Sequence, residues 1–326
     1  MNDHSPITFS IVAPVYNEAD AVPELYRRVR ETMDELGDPW ELILVDDGST
    51  DGSADEMRRL AQADPKVRPV IFSRNFGHQI AVTAGLDYSR GQSVVIIDAD
   101  LQDPPEVIPA LAAKWREGYQ VVYAVRAERK GETWFKRFTA SLFYRIIYRI
   151  TDVEIPVDTG DFRLIDRKVV NALGHMRERH RFLRGMAAWV GYRQVGVPYT
   201  REARFAGRTK YTFGKMLRFA LTAVTGFSYF PLQIATYLGF VSAGISAVAI
   251  PVVVILRLMG NAAFFGQATT LIAVLFLGGV QLISLGILGE YIGRLYDEAK
   301  GRPLYIVSEA PDGANDNTTT WEQNRS

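Results

Sequence analysis

Two long runs without a charged side chain, close to the C-terminus, constrain the fold of this chain more than any other feature. Residues 231–256 are an uncharged run of 26, and residues 268–289 a second run of 22. As helices rising about 1.5 Å per residue they would reach about 39 Å and about 33 Å, whereas the hydrocarbon core of a bilayer is roughly 30 Å thick. Buried helices of a soluble protein are usually shorter and carry a polar stripe. We therefore predict a transmembrane hairpin with helices over residues 231–257 and 267–292.

Basic residues around these runs predict the orientation of the hairpin. The connection between the runs holds only Arg257. Many more lysines and arginines precede the first run or follow the second: Arg201, Arg204, Arg208, Lys210, Lys215, Arg218, Arg294, Lys300 and Arg302. Because such residues collect on the cytoplasmic side of spanning helices, we expect both termini and the large N-terminal part to be cytoplasmic.

Charge and cysteine content exclude several classes of function. Lys and Arg number 37 and Asp and Glu also 37, so the formal net charge is zero, which argues against a nucleic acid partner. The chain has no cysteine, which excludes a disulfide framework, a thiolate zinc site and a cysteine nucleophile. Most of the charge lies within residues 1–215, which we predict to be the catalytic domain.

Strand and helix patterns alternate through the first hundred residues. Apolar runs predict strands at residues 8–14, 41–45, 67–72 and 93–97. Helices are predicted at residues 20–36, from the turn that ends at Gly52 to about residue 63, and at residues 79–89. This rhythm indicates an α/β domain with a mostly parallel sheet, in which ligands bind beyond the carboxyl ends of the strands. The acidic turns Asp46–Asp47 and Asp98–Asp100 follow two of these strands.

Three further segments have their own patterns. Residues 133–150 mix aromatic and basic side chains at helical spacing, which is typical of a helix on an anionic membrane surface, although a helix packed on the sheet would show the same pattern. We predict a juxtamembrane helix at residues 216–230. Residues 293–326 should form a cytoplasmic tail whose end, from Pro311, is disordered.

Asp98 and Asp100 form the clearest candidate metal site. Two carboxylates one residue apart at a strand end can converge on one hard divalent cation such as Mg²⁺ or Mn²⁺. The metal would then bridge phosphate oxygens of a nucleotide and neutralise charge on a departing diphosphate. Alone, an Asp-x-Asp pair is more often a solvated turn.

Five motifs give the chain a resemblance to a known family. They occur in the order Pro14-Val-Tyr-Asn-Glu18, Val45-Asp-Asp-Gly-Ser-Thr50, Ser73-Arg-Asn-Phe-Gly77, Asp98-Ala-Asp-Leu-Gln-Asp-Pro-Pro105 and Thr159-Gly-Asp-Phe-Arg163. Together they resemble family 2 glycosyltransferases of the GT-A fold. Within that family the chain is similar to the polyisoprenyl-phosphate glycosyltransferases, which include dolichyl-phosphate mannose synthase and the bacterial GtrB and ArnC type enzymes. The similarity covers about residues 7 to 305, including the hairpin of the bacterial branch.

The resemblance implies roles for particular residues. Pro14, Tyr16, Glu18 and Asp47 match positions around the base and ribose of the nucleotide-sugar donor. Asp98, Asp100 and Gln102 match the site of the metal and the diphosphate. Asp161 falls in the motif of the catalytic base or acceptor-orienting acid, and we include Asp100 and Arg163 with it as catalytic candidates. Basic residues similar to those that hold the two phosphates are Arg126, assigned to the donor, and Arg137, Arg204 and Lys210, assigned to the acceptor.

Plainer roles remain open for several of these residues. Pro14 and Tyr16 would also suit a turn or packing, and Asp46 or Asp47 would suit a cap on the next helix. Asp161 would also suit an ion pair with Arg163 or another cation. Arginines near a membrane would also contact lipid phosphates.

The resemblance implies an inverting, metal-dependent transfer of a sugar, with a UDP-hexose such as UDP-glucose as the leading donor, to undecaprenyl or another polyprenyl phosphate at a bacterial inner membrane. A homo-oligomer is implied by the resemblance alone. A processive polysaccharide synthase is a poorer match, because the chain has no Gln-x-x-Arg-Trp motif. A non-catalytic membrane scaffold that binds sugar nucleotides is the other alternative. No Gly-x-Gly-x-x-Gly follows the first strand, which excludes a dinucleotide-binding enzyme.

Overall fold

A computed structural model describes residues 6–126, 159–201, 230–259 and 267–311 of the chain. The predicted helix at residues 133–150, nearly all of the predicted helix at residues 216–230 and the end of the tail lie outside these ranges. So do Arg137, Arg204 and Lys210.

Eight strands form one sheet: β1 (Phe9–Val15), β2 (Trp40–Asp46), β3 (Val67–Phe72), β4 (Ser93–Ile96), β5 (Val121–Arg126), β6 (Thr159–Asp166), β7 (Gln194–Tyr199) and β8 (Val307–Glu309). The α-helices are α1 (Val22–Leu36), α2 (Ser53–Ala63), α3 (His78–Tyr88), α4 (Ile108–Arg116), α5 (Arg167–His175), α6 (Leu183–Trp189), α7 (Phe230–Leu258) and α8 (Gln267–Ala299). A 3₁₀ turn at Pro105–Val107 precedes α4. The predicted α/β architecture is confirmed.

The order of the strands explains where a site can form. The sheet runs β7-β5-β6-β4-β1-β2-β3-β8. Strands β1 to β4 are mutually parallel, and β5 and β7 point the same way, because β6 is antiparallel to both β4 and β5. The first residues of β6 therefore lie at the same edge as the last residues of β1 to β5 and β7. Loops from these seven strands meet at this edge, which we call the carboxyl edge.

Apolar residues hold helices against both faces of the sheet. Every residue of β1, β2 and β4 is buried. The continuous apolar run of β4 is the pattern of a central strand covered on both faces. The predicted apolar stripe of α1, Val22, Leu25, Val29 and Met33, is fully buried in the cluster on one face. Residues of α3, α5 and α6 form the cluster on the other face. The sheet is thus fixed between two cores, which gives the loops of the carboxyl edge a rigid base.

The two C-terminal helices are long and apolar. The stretches Phe230–Leu256 and Ala273–Ala299 each have 27 residues, with mean hydropathy of 2.4 and 1.8. Most of the side chains described in these two stretches are exposed. Their length and composition suit a membrane crossing. Helix α8 continues to Ala299, and the chain then returns to the sheet as β8, antiparallel to β3. The ring of Tyr305 stacks on Phe72 with centroids 5.2 Å apart, so the segment that follows α8 is attached to the sheet.

A buried ion pair lies at the opposite edge of the sheet, where β2 begins. Glu41 is 1% exposed and accepts hydrogen bonds from the Ser10 hydroxyl at 2.6 Å and from Arg68 Nη1 and Arg90 Nε, both at 2.9 Å. Burial alone raises the pKa of Glu41, but these donors outweigh it and hold the pKa below its ordinary value of 4.5.

We expect Glu41→Gln to lower the free energy of unfolding by about 2 kcal/mol near neutral pH, because Arg68 would stay buried without its counter-charge. The folded pKa of Glu41 is depressed, so its contribution is present above the unfolded value of 4.5 and is lost as the pH falls through the folded value. The free energies of unfolding of the wild-type protein and Glu41→Gln would be measured in detergent, and the difference between them should narrow as the pH falls below 4.5. Glu31→Gln, at an exposed position on α1, is the control, and equal losses in the two variants would contradict the expectation.

Candidate active site

Asp98, Asp100 and Gln102 lie together just beyond β4 at the carboxyl edge. The backbone N–H of Gln102 donates to Asp100 Oδ1 at 3.1 Å, which closes a tight turn. Leu101, between them, is buried with φ of 58°, a left-handed conformation that is costly for a branched side chain. Such strain is maintained only where the surrounding structure enforces it, and it often marks a functional loop.

The environment of Asp98 suits a cation. Asp98 Oδ1 is buried and has no hydrogen-bond partner. Burial raises the pKa of Asp98 to about 6, an effect that the nearby carboxylates of Asp161, Asp103 and Asp100 reinforce and that His78 opposes. A buried, unsatisfied carboxylate oxygen among other carboxylates is an arrangement that a divalent ion would relieve.

Protein side chains alone supply few ligands there. Across the described ranges, no group of three or more Asp, Glu or His is arranged to hold a metal ion. Asp98 and Asp100 fit a Mg²⁺ or Mn²⁺ ion whose remaining ligands are phosphate oxygens and water, which is how Mg²⁺ is commonly bound with nucleotides.

Asp161 lies near the start of β6 and is held by three side chains. Its Oδ1 accepts from Arg184 Nε at 2.7 Å, and its Oδ2 is 3.1 Å from His78 Nε2 and accepts from Gln79 Nε2 at 3.2 Å. Burial alone raises the pKa of Asp161, but Arg184 and His78 outweigh it and hold the pKa well below its ordinary value. Asp161 is therefore an ionised, paired carboxylate, a weak base suited to orienting other groups.

His78 connects the predicted metal site with Asp161. Its Nε2 lies 3.7 Å from Asp98 Oδ1, besides its contact with Asp161. Burial alone lowers the pKa of His78, but the hydrogen bond to Asp161 and the charges of both carboxylates raise it to about 9. The ring is therefore an imidazolium at neutral pH and places a positive charge between the two acids.

Arg163 faces the same side of β6 as Asp161 but does not pair with its carboxylate. Its Nη2 donates to the carbonyl oxygen of Gly160 at 3.0 Å, and its Nε to that of Asp161 at 3.4 Å. Burial lowers the pKa of Arg163 to about 10. Of the two ion pairs considered for Asp161, the one with another cation, Arg184, is present in the structure. The predicted catalytic role of Arg163 stays a prediction.

Asp47 fastens the loop between β3 and α3. Its carboxylate accepts from the backbone N–H of Phe76 at 2.7 Å and of Gly77 at 3.0 Å, and from Asn75 Nδ2 at 2.9 Å. Burial raises the pKa of Asp47, opposed by these backbone donors. Asp47 thus binds the loop before α3 and does not cap the next helix, α2. Asp46 accepts from the Ser49 N–H within its own turn. The predicted contact of Asp47 with the nucleoside is untested.

The other predicted donor residues lie on and after β1. Pro14 is buried within the strand and pairs with Val45. Tyr16 follows at the edge and is 40% exposed, and the N–H of Glu18 donates to Ser53 Oγ at 3.0 Å. The loop that carries Tyr16 and Glu18 is thereby joined to the loop after β2, and together they form one rim of the carboxyl edge.

Arg126 ends β5 on the other rim. It lies opposite Tyr199 of β7 in the pairing of the two strands. The Tyr199 hydroxyl donates to Asp103, and Arg201 Nε lies 3.6 Å from the same carboxylate oxygen. Burial raises the pKa of Tyr199 to about 12, and the Asp103 carboxylate adds to the effect.

Several site residues were not predicted from the sequence. His78 and Gln79 directly follow the Ser73–Gly77 motif, and their place after it, at a helix N-terminus on the carboxyl edge, is a signal that could have identified them. Arg184 lies in no motif, and only the packing of α6 brings it to Asp161. The two others, Asp103 and Tyr199, come from the loop after β4 and from β7, which are not neighbouring strands, so local sequence patterns do not reveal their contact.

The chain is similar to known glycosyltransferases over most of its length. A glycosyltransferase of uncharacterized activity from Bacillus subtilis (strain 168), YkcC, is 49% identical over 304 residues, which cover 93% of this chain and 94% of the relative. A prophage bactoprenol glucosyl transferase homolog from Escherichia coli (strain K12) is 42% identical over 298 residues, 91% of this chain and 97% of the relative. Among solved structures, the mannosyltransferase PcManGT from Pyrobaculum calidifontis, in complex with GDP-Man and Mn²⁺, is 19% identical over 90% of each chain with a TM-score of 0.43.

Residues 10–174, from β1 to the last turn of α5, match the domain described as glycosyl transferase family 2. This segment contains all five sequence motifs and every residue of the Asp98–His78–Asp161 group. The chain therefore belongs to glycosyl transferase family 2.

Proposed function

We propose that this protein transfers a sugar, with inversion at the anomeric carbon, from a UDP-hexose such as UDP-glucose to undecaprenyl or another polyprenyl phosphate. The observation that carries the proposal is the group formed by Asp98, Asp100, His78 and Asp161 at the carboxyl edge of a chain that also has two apolar helices long enough to cross a bilayer. The 42% identity between this chain and a prophage bactoprenol glucosyl transferase homolog, over nearly the whole of both chains, supports a polyprenyl acceptor.

Bound Mg²⁺ or Mn²⁺ would supply charge neutralisation on the departing diphosphate. Asp98, Asp100 and Gln102 are the residues that would hold it, and Asp98 Oδ1 is buried without a hydrogen-bond partner. Tyr16, Glu18 and Asp47 would bind the nucleoside along the rim formed by the loops after β1 and β2.

The acceptor needs little help from a base. A phosphate monoester has a second pKa near about 6, so its oxygen is largely anionic at neutral pH. The demanding step is to bring this anion toward an anionic donor, which requires positive charge held in place. His78 and Arg184 supply such charge beside Asp161, and Asp161 orients both. Arg163 fixes the backbone of Gly160 and Asp161, which positions that carboxylate.

The length and composition of the two apolar helices support a reaction at a membrane. We propose that α7 and α8 form a hairpin in a bacterial inner membrane, with the catalytic domain and both termini in the cytoplasm. The product would be a lipid-linked monosaccharide used to modify a surface glycan or lipid. Arg137, Arg204 and Lys210 would contribute to the acceptor phosphate site, and a homo-oligomer is compatible with this arrangement.

A donor screen tests the proposal. Membranes containing the full chain would be supplied with polyprenyl phosphate, Mg²⁺ or Mn²⁺, and UDP-glucose, UDP-galactose, UDP-N-acetylglucosamine or GDP-mannose in turn, and lipid extracts analysed by mass. We expect one UDP-hexose to give a monosaccharide–phosphate lipid that disappears when EDTA is added. Nucleotide binding without any lipid product would favour the non-catalytic scaffold, and products of increasing glycan length would favour a processive synthase.

A further inference from the structure

The third carboxylate of the acidic motif, Asp103, has no part in the proposed reaction, although it is completely buried. The Tyr199 hydroxyl donates to its Oδ1, and Arg201 Nε lies 3.6 Å from the same oxygen. Its Oδ2 is buried with no hydrogen-bond partner. Burying an ionised carboxylate is costly, so its retention here needs a reason.

Two guanidinium groups converge on this carboxylate. Register between β5 and β7 places Arg126 beside Tyr199, and Arg201 follows two residues later. The Nε atoms of both arginines are buried without a hydrogen-bond partner. Three of the unsatisfied buried groups found in the described part of the chain therefore meet at one place, which indicates a site whose remaining partner comes from outside the protein.

Gly160 leaves room for that partner. A Cβ at this position would lie 3.3 Å from Arg126 Nη2 and 3.8 Å from Asp103 Oδ2. An added methyl group would therefore make a tight contact with the end of the Arg126 side chain and an ordinary contact with the carboxylate. Asp161, the next residue of β6, belongs to the predicted reaction centre, so the Arg126 guanidinium lies beside the residue that precedes it.

We propose that Asp103, braced by Tyr199, is a positioning residue that holds the guanidinium groups of Arg126 and Arg201 in place to bind a phosphate group. Two guanidinium groups against one carboxylate leave an excess positive charge, and guanidinium donors match phosphate oxygens in a planar, paired geometry. The phosphate would belong either to the donor diphosphate or to the lipid acceptor. This inference rests on the proposed function and adds residues to its site.

The test compares two tyrosine–aspartate hydrogen bonds. Tyr199→Phe removes only the hydroxyl that braces Asp103. Tyr26→Phe is the matched control, because the Tyr26 hydroxyl donates to Asp64 Oδ2 at 2.8 Å, far from the carboxyl edge. Full-length proteins in nanodiscs would be titrated with UDP in the presence of Mn²⁺ for Kd, and with polyprenyl phosphate at saturating donor for KM and kcat. Thermal midpoints would be recorded for all proteins.

We expect Tyr199→Phe to raise one of the two constants by about tenfold, as for the loss of a hydrogen bond to a charged group, while kcat changes by less than about twofold. A higher Kd for UDP would assign the clamp to the donor diphosphate, and a higher KM for the lipid would assign it to the acceptor. The thermal midpoint should fall no more than in Tyr26→Phe. Asp103→Asn should shift the same constant further.

Unchanged Kd and KM in Tyr199→Phe would overturn the inference, as would a fall in kcat or thermal midpoint alone. If Asp103→Asn does not fold, the constants measured for Tyr199→Phe still test the role of Asp103. Absence of product from the wild-type protein would contradict the proposed function, whereas normal wild-type turnover with unaltered constants in Tyr199→Phe would contradict only the role of Asp103.

Discussion

Asp98→Asn should reduce formation of the lipid-linked sugar by about a thousandfold, equivalent to about 4 kcal/mol of transition-state stabilisation. The amide keeps the size of the side chain but removes the charge that would hold a divalent ion against the departing diphosphate. Asp98 Oδ1 is buried and accepts no hydrogen bond in the protein, which leaves this oxygen available to a cation. The variant should also lose the increase in donor affinity that Mn²⁺ gives the wild-type protein.

Asp161→Asn should be less damaging, by about tenfold to a hundredfold, because the acceptor phosphate arrives already ionised and Asp161 mainly orients Arg184 and His78. Both rates would be measured from lipid extracts by mass, with Asp55→Asn, an exposed position on α2, as the control. A larger loss in Asp161→Asn than in Asp98→Asn would show that proton removal limits the reaction despite the ionised acceptor. Wild-type turnover in Asp98→Asn would refute the metal site.

The sequence predicted the frame of the site well, because the relevant signals are local. Apolar runs identify β1 and β2 as strands, and the continuous apolar run of β4 identifies a strand buried on both faces. The stripe from Val22 to Met33 identifies the buried face of α1. Since parallel strands end at a common edge, the apolar runs that precede Asp47 and Asp98 are enough to place these two turns together.

Contacts made between distant segments were less accessible. A cap on the next helix was the alternative role left open for Asp47, yet its partner is the loop before α3, because the pairing of β2 with β3 brings Gly77 to it. Arg184 reaches Asp161 only because α6 packs on the face of the sheet that holds α3. The antiparallel direction of β6 brings Asp161 to the carboxyl edge, and nothing in the local pattern of β6 reveals that direction.

Gly48→Ala should lower the free energy of unfolding by about 3 to 4 kcal/mol and reduce activity with it. Gly48 has φ of +69°, and a Cβ there would lie 2.5 Å from the backbone C of Arg74 and the backbone N of Asn75. Because those atoms are main chain, the loop between β3 and α3 must move. That loop donates three hydrogen bonds to Asp47 and leads directly into His78, so the displacement reaches the group beside Asp98.

Gly52→Ala separates this overlap from the cost of the backbone conformation. Gly52 lies, like Gly48, in the loop between β2 and α2 and has φ of +91°, but no atom is within 4 Å of the position that its Cβ would take. It should therefore show only the left-handed penalty of about 1 to 2 kcal/mol and keep most of its turnover. Thermal unfolding and donor binding would be measured for both variants in detergent. Equal losses in stability and activity would mean that the close approach to residues 74 and 75 does not govern the site, and that His78 is positioned by α3 alone.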